Sequence, residues 1–126
     1  SNDTTQDYYS DSNLDYLNDE LKWEVEKVKQ EADLAKNIVL GISDYIKKYP
    51  NIADERMPLD EFADLINGRD GEFDPVLRDR INMFIDKNDA RVNLSKPLSA
   101  FLELVSKVWQ ENMELVDTWP KKKTNL

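Results

Sequence analysis

Neither cysteine nor histidine occurs among the 126 residues, and glycine and proline occur only three and five times. Without thiols or imidazoles the chain has no disulfide framework, no zinc site of the usual ligands, no thiol nucleophile and no serine-histidine triad of its own. Chemistry, if there is any, falls to carboxylates, lysine, tyrosine or the backbone. Long apolar runs are missing too. Ile38-Val39-Leu40 is the longest, far short of the roughly 18–20 residues that a transmembrane helix needs.

Positive charge is in the minority, with 17 Lys and Arg against 26 Asp and Glu, a net charge of −9 and a pI near 4.5. A generic grip on nucleic acid needs a clustered basic surface, so no nucleic-acid partner is expected. No glycine-rich phosphate loop or nucleophile elbow is present. Carboxylate pairs such as Asp60/Asp64 and Glu111/Glu114 share a helical face, but in so acidic a chain that spacing carries no information. The expectation is a protein that is not an enzyme and holds no cofactor or metal. The chain starts at Ser1 without Met or a signal segment. That fits either a tag-cleavage scar or a chain following a processed or lipidated cysteine, and it leaves cytoplasm and cell surface both open.

Helical periodicity is the dominant positive signal. Apolar residues recur at three-four spacing as Leu14, Leu17, Leu21, Val25, Val28, Ala32, Ala35, Ile38, Val39, Ile42, Tyr45 and Ile46, with no proline before Pro50. Ser12 and Asp15 have the form of a capping box, which places a helix start near Asn13. Shorter helices follow from Leu59 to about Asn67, entered by Pro58 and stopped by Gly68, and from Pro75 to about Ile85 with Asp74 as N-cap. A last helix runs from Pro97 to about Trp119, stopped by Pro120, with the stripe Leu98, Leu102, Val105, Trp109, Met113 and Val116. The fold class is therefore all-α, a small bundle of four or five helices in which the long N-terminal and C-terminal helices pack antiparallel. Residues 14–119 form one helical domain, 1–13 read as an acidic, polar, disordered tether and 120–126 as a basic tail. Arg91-Val92-Asn93-Leu94 alternates and suits at most a two-residue bridge.

The chain also resembles itself. A shift of 39 positions aligns Ile42, Ile46, Lys48, Pro58, Leu59, Phe62 and Leu65 with Ile81, Ile85, Lys87, Pro97, Leu98, Phe101 and Leu104 without gaps. That is seven identities over residues 38–66, against roughly two expected by chance. Two tandem helix-loop-helix repeats would produce this pattern, each with Pro-Leu at its second helix. Two stretches partly resemble EF-hand loops. Asp70-Gly71-Glu72-Phe73-Asp74 would fill positions five to nine, but Ile66, Gly68 and Leu77 then occupy one, three and twelve. In the second, opening at Asp86, Arg91 replaces the glycine and Pro97 the closing glutamate. A calcium ion needs about six or seven oxygens, and neither loop supplies the bidentate carboxylate.

Two features point to a binding surface. Residues 1–20 carry six acids and no base, and residues 51–75 carry eight acids against two bases, which suits a basic protein partner. Tyr9, Tyr16 and Trp23 lie seven residues apart on a line nearly opposite the main stripe of the first helix. A straight helix from Asn13 to Tyr49 spans about 54 Å, whereas a body of this size has a radius of gyration of about 14 Å. Such a helix either breaks, near Glu31 to Asp33 or at Gly41, or projects and carries Tyr16 and Trp23 with it. The reading is an interaction or regulatory module that binds another protein, or a second copy, through Tyr9, Tyr16 and Trp23. The alternatives are a degenerate EF-hand-like ion-binding module and an acidic inhibitor of a nucleic-acid-binding protein.

Overall fold

A computed structural model describes the backbone of residues 2–69 and 71–124, and the side chains of residues 20–69 and 71–118. It contains four α-helices in chain order: α1 (Asn2–Lys48), α2 (Leu59–Ile66), α3 (Pro75–Lys87) and α4 (Leu98–Thr124). A single 3-10 turn, Asp89–Arg91, follows α3. The fold is all-α, and the long α1 and α4 pack together antiparallel with α2 and α3 completing the body at one end. Among the described residues the β structure amounts to two isolated bridges, Pro58 with Pro97 and Asn67 with Phe73. The Arg91–Leu94 segment forms neither. No helix of the described residues is long and apolar enough to cross a membrane.

The core collects the three-four spaced residues of every helix. From α1 come Ala35, Ile38, Ile42 and Tyr45, from α2 Leu59, Phe62, Leu65 and Ile66, from α3 Leu77, Ile81 and Phe84, and from α4 Leu98, Phe101, Val105 and Val108. Burying a large aliphatic or aromatic side chain contributes about 1.5–3 kcal/mol, and these stripes supply most of the stabilisation.

The repeat at 39 positions is present in three dimensions. Tyr45 meets Phe62 edge to face at 5.4 Å, and Phe84 meets Phe101 in the same way at 5.6 Å. The loops between the paired helices share several bonds at this offset. Asp54 Oδ1 accepts from the Arg56 amide at 2.8 Å, as Asn93 Oδ1 accepts from the Ser95 amide at 3.0 Å. Across the two units, the Leu59 amide donates to Lys96 O at 3.0 Å and the Leu98 amide to Met57 O at 2.6 Å. The Asp60 amide reaches Leu94 O and the Ser99 amide reaches Glu55 O. Each pair of bonds is related by the same offset, so the two units face each other about a local two-fold axis. Pro58 and Pro97 sit at the one position of this antiparallel bridge that uses no N–H, which is where proline is tolerated. They precede α2 and α4 in the chain; Pro58 adopts an extended conformation before the first turn of α2. Pro75 does stand at the start of α3, and Asp74 Oδ1 caps it by accepting from the Leu77 amide at 3.0 Å.

Several boundaries differ from the sequence expectation. The helical backbone runs from Asn2, past the Ser12–Asp15 box, because no glycine or proline interrupts it before Gly41. The reading of 1–13 as a tether thus rests on composition, and the side chains there lie outside the described residues. At the other end α4 continues through Pro120 to Thr124. Proline's fixed φ is compatible with a helix, but inside one it removes a hydrogen bond and crowds the carbonyl four residues back, at a cost of about 3 kcal/mol. The separate basic tail at 120–126 is, as backbone, largely the end of α4, and the side chain of Trp119 also lies outside the described residues.

The α4 stripe is rotated from the expected one. Val105 is buried and Trp109 packs at the margin of the core, but Met113 is 42 % exposed. Asn112 takes the inward position at 7 % exposure. Its Nδ2 donates to Val108 O at 2.9 Å, so the buried amide finds a partner on its own helix.

The duplicated loops provide a test. The Arg56 guanidinium donates to the Asp54 carboxylate at 3.1 Å. Hydrogen bonds from the Arg56 side chain and amide hold the Asp54 carboxyl below its ordinary value of 3.8. A lowered folded pKa stabilises at pH values above the ordinary one, and that contribution is lost as pH falls through the lowered value. Since Asn93 makes the same turn without a charge, Asp54→Asn is expected to keep the turn and lose only the contribution of the exposed charge, lowering the melting temperature at pH 7 less than Asp54→Ala does. Thermal melts of the two variants check this.

Candidate functional site

At 1.5 Å per residue α1 is about 70 Å long, several times the radius of the body. It neither breaks nor bends out of helical conformation at Glu31 to Asp33 or at Gly41. Gly41 is a packing notch, because a Cβ there would stand 2.9 Å from Leu77 Cδ1 of α3. The helix therefore projects.

The body ends on α1 near Glu31, whose Oε1 lies 3.9 Å from Lys87 Nζ at the C-terminal end of α3. Buried side chains on α1 begin at Ala32. Toward the N-terminus, α4 remains as the packing partner, and Leu21, Val25 and Val28 are half-buried along the main stripe. Two helices side by side cover one stripe of each and leave the opposite faces in water.

Trp23 stands on that opposite face and is 67 % exposed. Its ring already holds a cation: Lys27 Nζ, one turn on, lies 5.6 Å from the ring centroid. Glu20 and Glu26 flank it three residues to either side, and Lys29 pairs with Glu26 at 3.6 Å. Tyr9 and Tyr16 continue the line by spacing; their side chains lie outside the described residues. The structure thus places one of the three expected contact residues on an exposed surface of the projecting stalk. Sequence reasoning passed over a second apolar surface on the body, where Phe73, Val76 and Met83 are exposed around α3. Arg78 covers part of it, with its guanidinium carbon 5.2 Å from the Phe73 ring centroid.

The acidic loops are placed differently from successive EF-hands. The 66–77 stretch connects the two helix-loop-helix units, and the loops inside them are 49–58 and 88–97. These two loops carry only Asp54, Glu55 and Asp89 as acids, and the Asp54 carboxylate is held by Arg56. A cleft of about 260 Å³ beside the connecting loop is lined by Asp44, Tyr45, Lys48, Glu72 and Asp74 among others, with Asp74 engaged in capping α3. Among the described residues no three acidic side chains are grouped to hold a metal ion. Millimolar calcium is therefore expected to leave the melting temperature unchanged. A rise of several degrees would show a ligand bound to the native state and bring the ion-binding reading forward.

Comparison with known proteins adds no relative: no family model matches the chain, and neither does any curated protein or solved structure.

Proposed function

We propose that this chain is a non-enzymatic interaction or regulatory module that binds another protein through the N-terminal half of α1. The observation that carries this reading is Trp23, two-thirds exposed on a helix that projects beyond its body. Tryptophan loses much by standing in water, and large exposed aromatics are frequent anchors of protein interfaces. Charge favours a different protein over a second copy, because identical partners would each bring the uniformly acidic 1–20 segment and the acidic 51–75 segment. Disguise as nucleic acid is less well supported, since Lys22, Lys27, Lys29, Lys36, Lys47 and Lys48 interrupt any carboxylate array along α1. The Asp54 carboxyl is pushed down by Arg56, the opposite of what a general acid requires.

The test is affinity capture from the native extract with wild type and Trp23→Ala side by side. A protein retained by the first and lost from the second, at equal melting temperature, supports the reading. Equal retention by both removes the Trp23 face from it.

A further inference from the structure

The two helix-loop-helix units correspond in their loops and aromatic pairs, but one corner differs, and the 39-residue offset shows what has changed there. In the first unit Ile52 and Met57 pack against the core, and Ala53 is buried. The equivalent positions of the second unit hold Arg91 and Lys96, both exposed, and Val92. The apolar cover is lost. A cleft of about 260 Å³ stands at this corner, with Val92, Ala100, Phe101 and Leu104 as its apolar lining and Arg91 and Lys96 as its cations. Charge has changed in step: Glu61, in the first turn of α2, is equivalent to Ala100, and the first turn of α4 has no acid. Exchanging Ile52 for Arg91, Met57 for Lys96 and Glu61 for Ala100 acts in one direction, uncovering apolar surface, adding cations and removing a carboxylate.

We propose that this cleft binds a small amphiphilic acid, a carboxylate on a short apolar chain, at a site independent of the Trp23 face. Its volume is just under the roughly 300–1,000 Å³ of pockets for drug-sized ligands, so the occupant is short. The apolar lining takes the chain, because apolar area removed from water is stabilising. The cations take the carboxylate. Lys96 has no ion-pair partner among the described residues. Arg91 engages Glu111 through Nη1 alone, at 3.1 Å, and its Nε and Nη2 make no hydrogen bond among the described residues. Glu111 is not part of the lining, and neither is any other carboxylate. In a chain of net charge −9, a cleft with two cations and no acid in its lining selects an anion against the overall charge.

The experiment follows the amide shifts of the isotope-labelled full chain by NMR during titration with hexanoate, at constant pH and ionic strength. Hexanol and hexylammonium are the chain-matched controls. Hexanoate is expected to shift Val92, Ala100 and Leu104 saturably, with a dissociation constant on the order of 1 mM for so few atoms. Hexanol should bind at least about fivefold more weakly, and hexylammonium should give no saturable shift. Acetyl-alanyl-leucine presents the same chemistry at a peptide end, and the tighter of the two acids tells a free acid from a chain end. The double variant Arg91→Ile/Lys96→Met copies the first unit; it is expected to melt within about 3 °C of wild type and to bind hexanoate about tenfold or more weakly. Lys96→Gln, which tests the charge without refilling the cleft, should weaken binding about threefold or more. Lys107→Met removes a charge of α4 outside the cleft and should leave affinity within about twofold of wild type. No saturable shift with either acid, equal binding of hexanol or hexylammonium, or undiminished affinity in Lys96→Gln overturns the proposal.

Discussion

Trp23→Ala is expected to leave the melting temperature within about 3 °C of wild type while weakening association with the partner at least tenfold, by the magnitudes usual for surface substitutions and interface anchors. The two expectations follow from one position. A side chain that is 67 % exposed gives up little burial in the monomer, so its removal leaves no cavity. Its cation contact with Lys27 contributes on the order of 0.5–1 kcal/mol at an exposed site, which bounds the loss from above. In a complex the same indole would be desolvated, and truncation there costs about 2 kcal/mol or more when the residue is an anchor. Had Trp23 been core, the variant would lose about 3–5 kcal/mol of folding stability. A thermal melt and a binding titration on the same protein separate the accounts.

The opposite pattern is expected at Phe62 and Phe101. Both are buried, both make an edge-to-face contact with an aromatic of the preceding helix, and the two occupy equivalent positions of the repeat. Phe62→Ala and Phe101→Ala should therefore destabilise by similar amounts, about 3–5 kcal/mol each. For a domain of roughly 100 residues that means a fall in melting temperature of at least about 12 °C, and it consumes much of the 5–15 kcal/mol typical of total stability. Because Leu59 and Leu98 donate across the unit boundary to Lys96 and Met57, the two units should unfold in one transition. Two separated transitions in either variant, or near-wild-type stability in one of them, would show that the units do not share a core.

Much of this architecture is visible in residue order. Every helix is announced by three-four spacing. The 39-residue offset that aligns Pro58 with Pro97 and Phe62 with Phe101 reappears as matched hydrogen bonds and ring contacts. Three features were beyond such reading. A hydrophobic pattern places Met113 inside and Asn112 outside; the reverse occurs because Asn112 satisfies its amide on Val108 O of its own helix, which makes its burial inexpensive. Gly41 has the same letter whether it is a hinge or a notch, and only the approach of Leu77 Cδ1 decides. Pro58 and Pro97 are equally compatible with a first helical turn and with a bridge; the partner strand that places them in the bridge is 39 residues away in sequence. For the candidate site, the line through Trp23 was legible from spacing. Its exposure was not, because a bundle could have folded a helix over it, and α3 covers the same line only as far as Glu31.

The most direct measurement of the central claim is site-specific photocrosslinking. A photoreactive phenylalanine analogue is placed at Trp23 in one preparation and at Asp60, an exposed residue at the start of α2, in another. Each is illuminated in the native extract. The account predicts a discrete adduct from position 23 and none from position 60. No adduct at 23, or the same adduct from both positions, would contradict it.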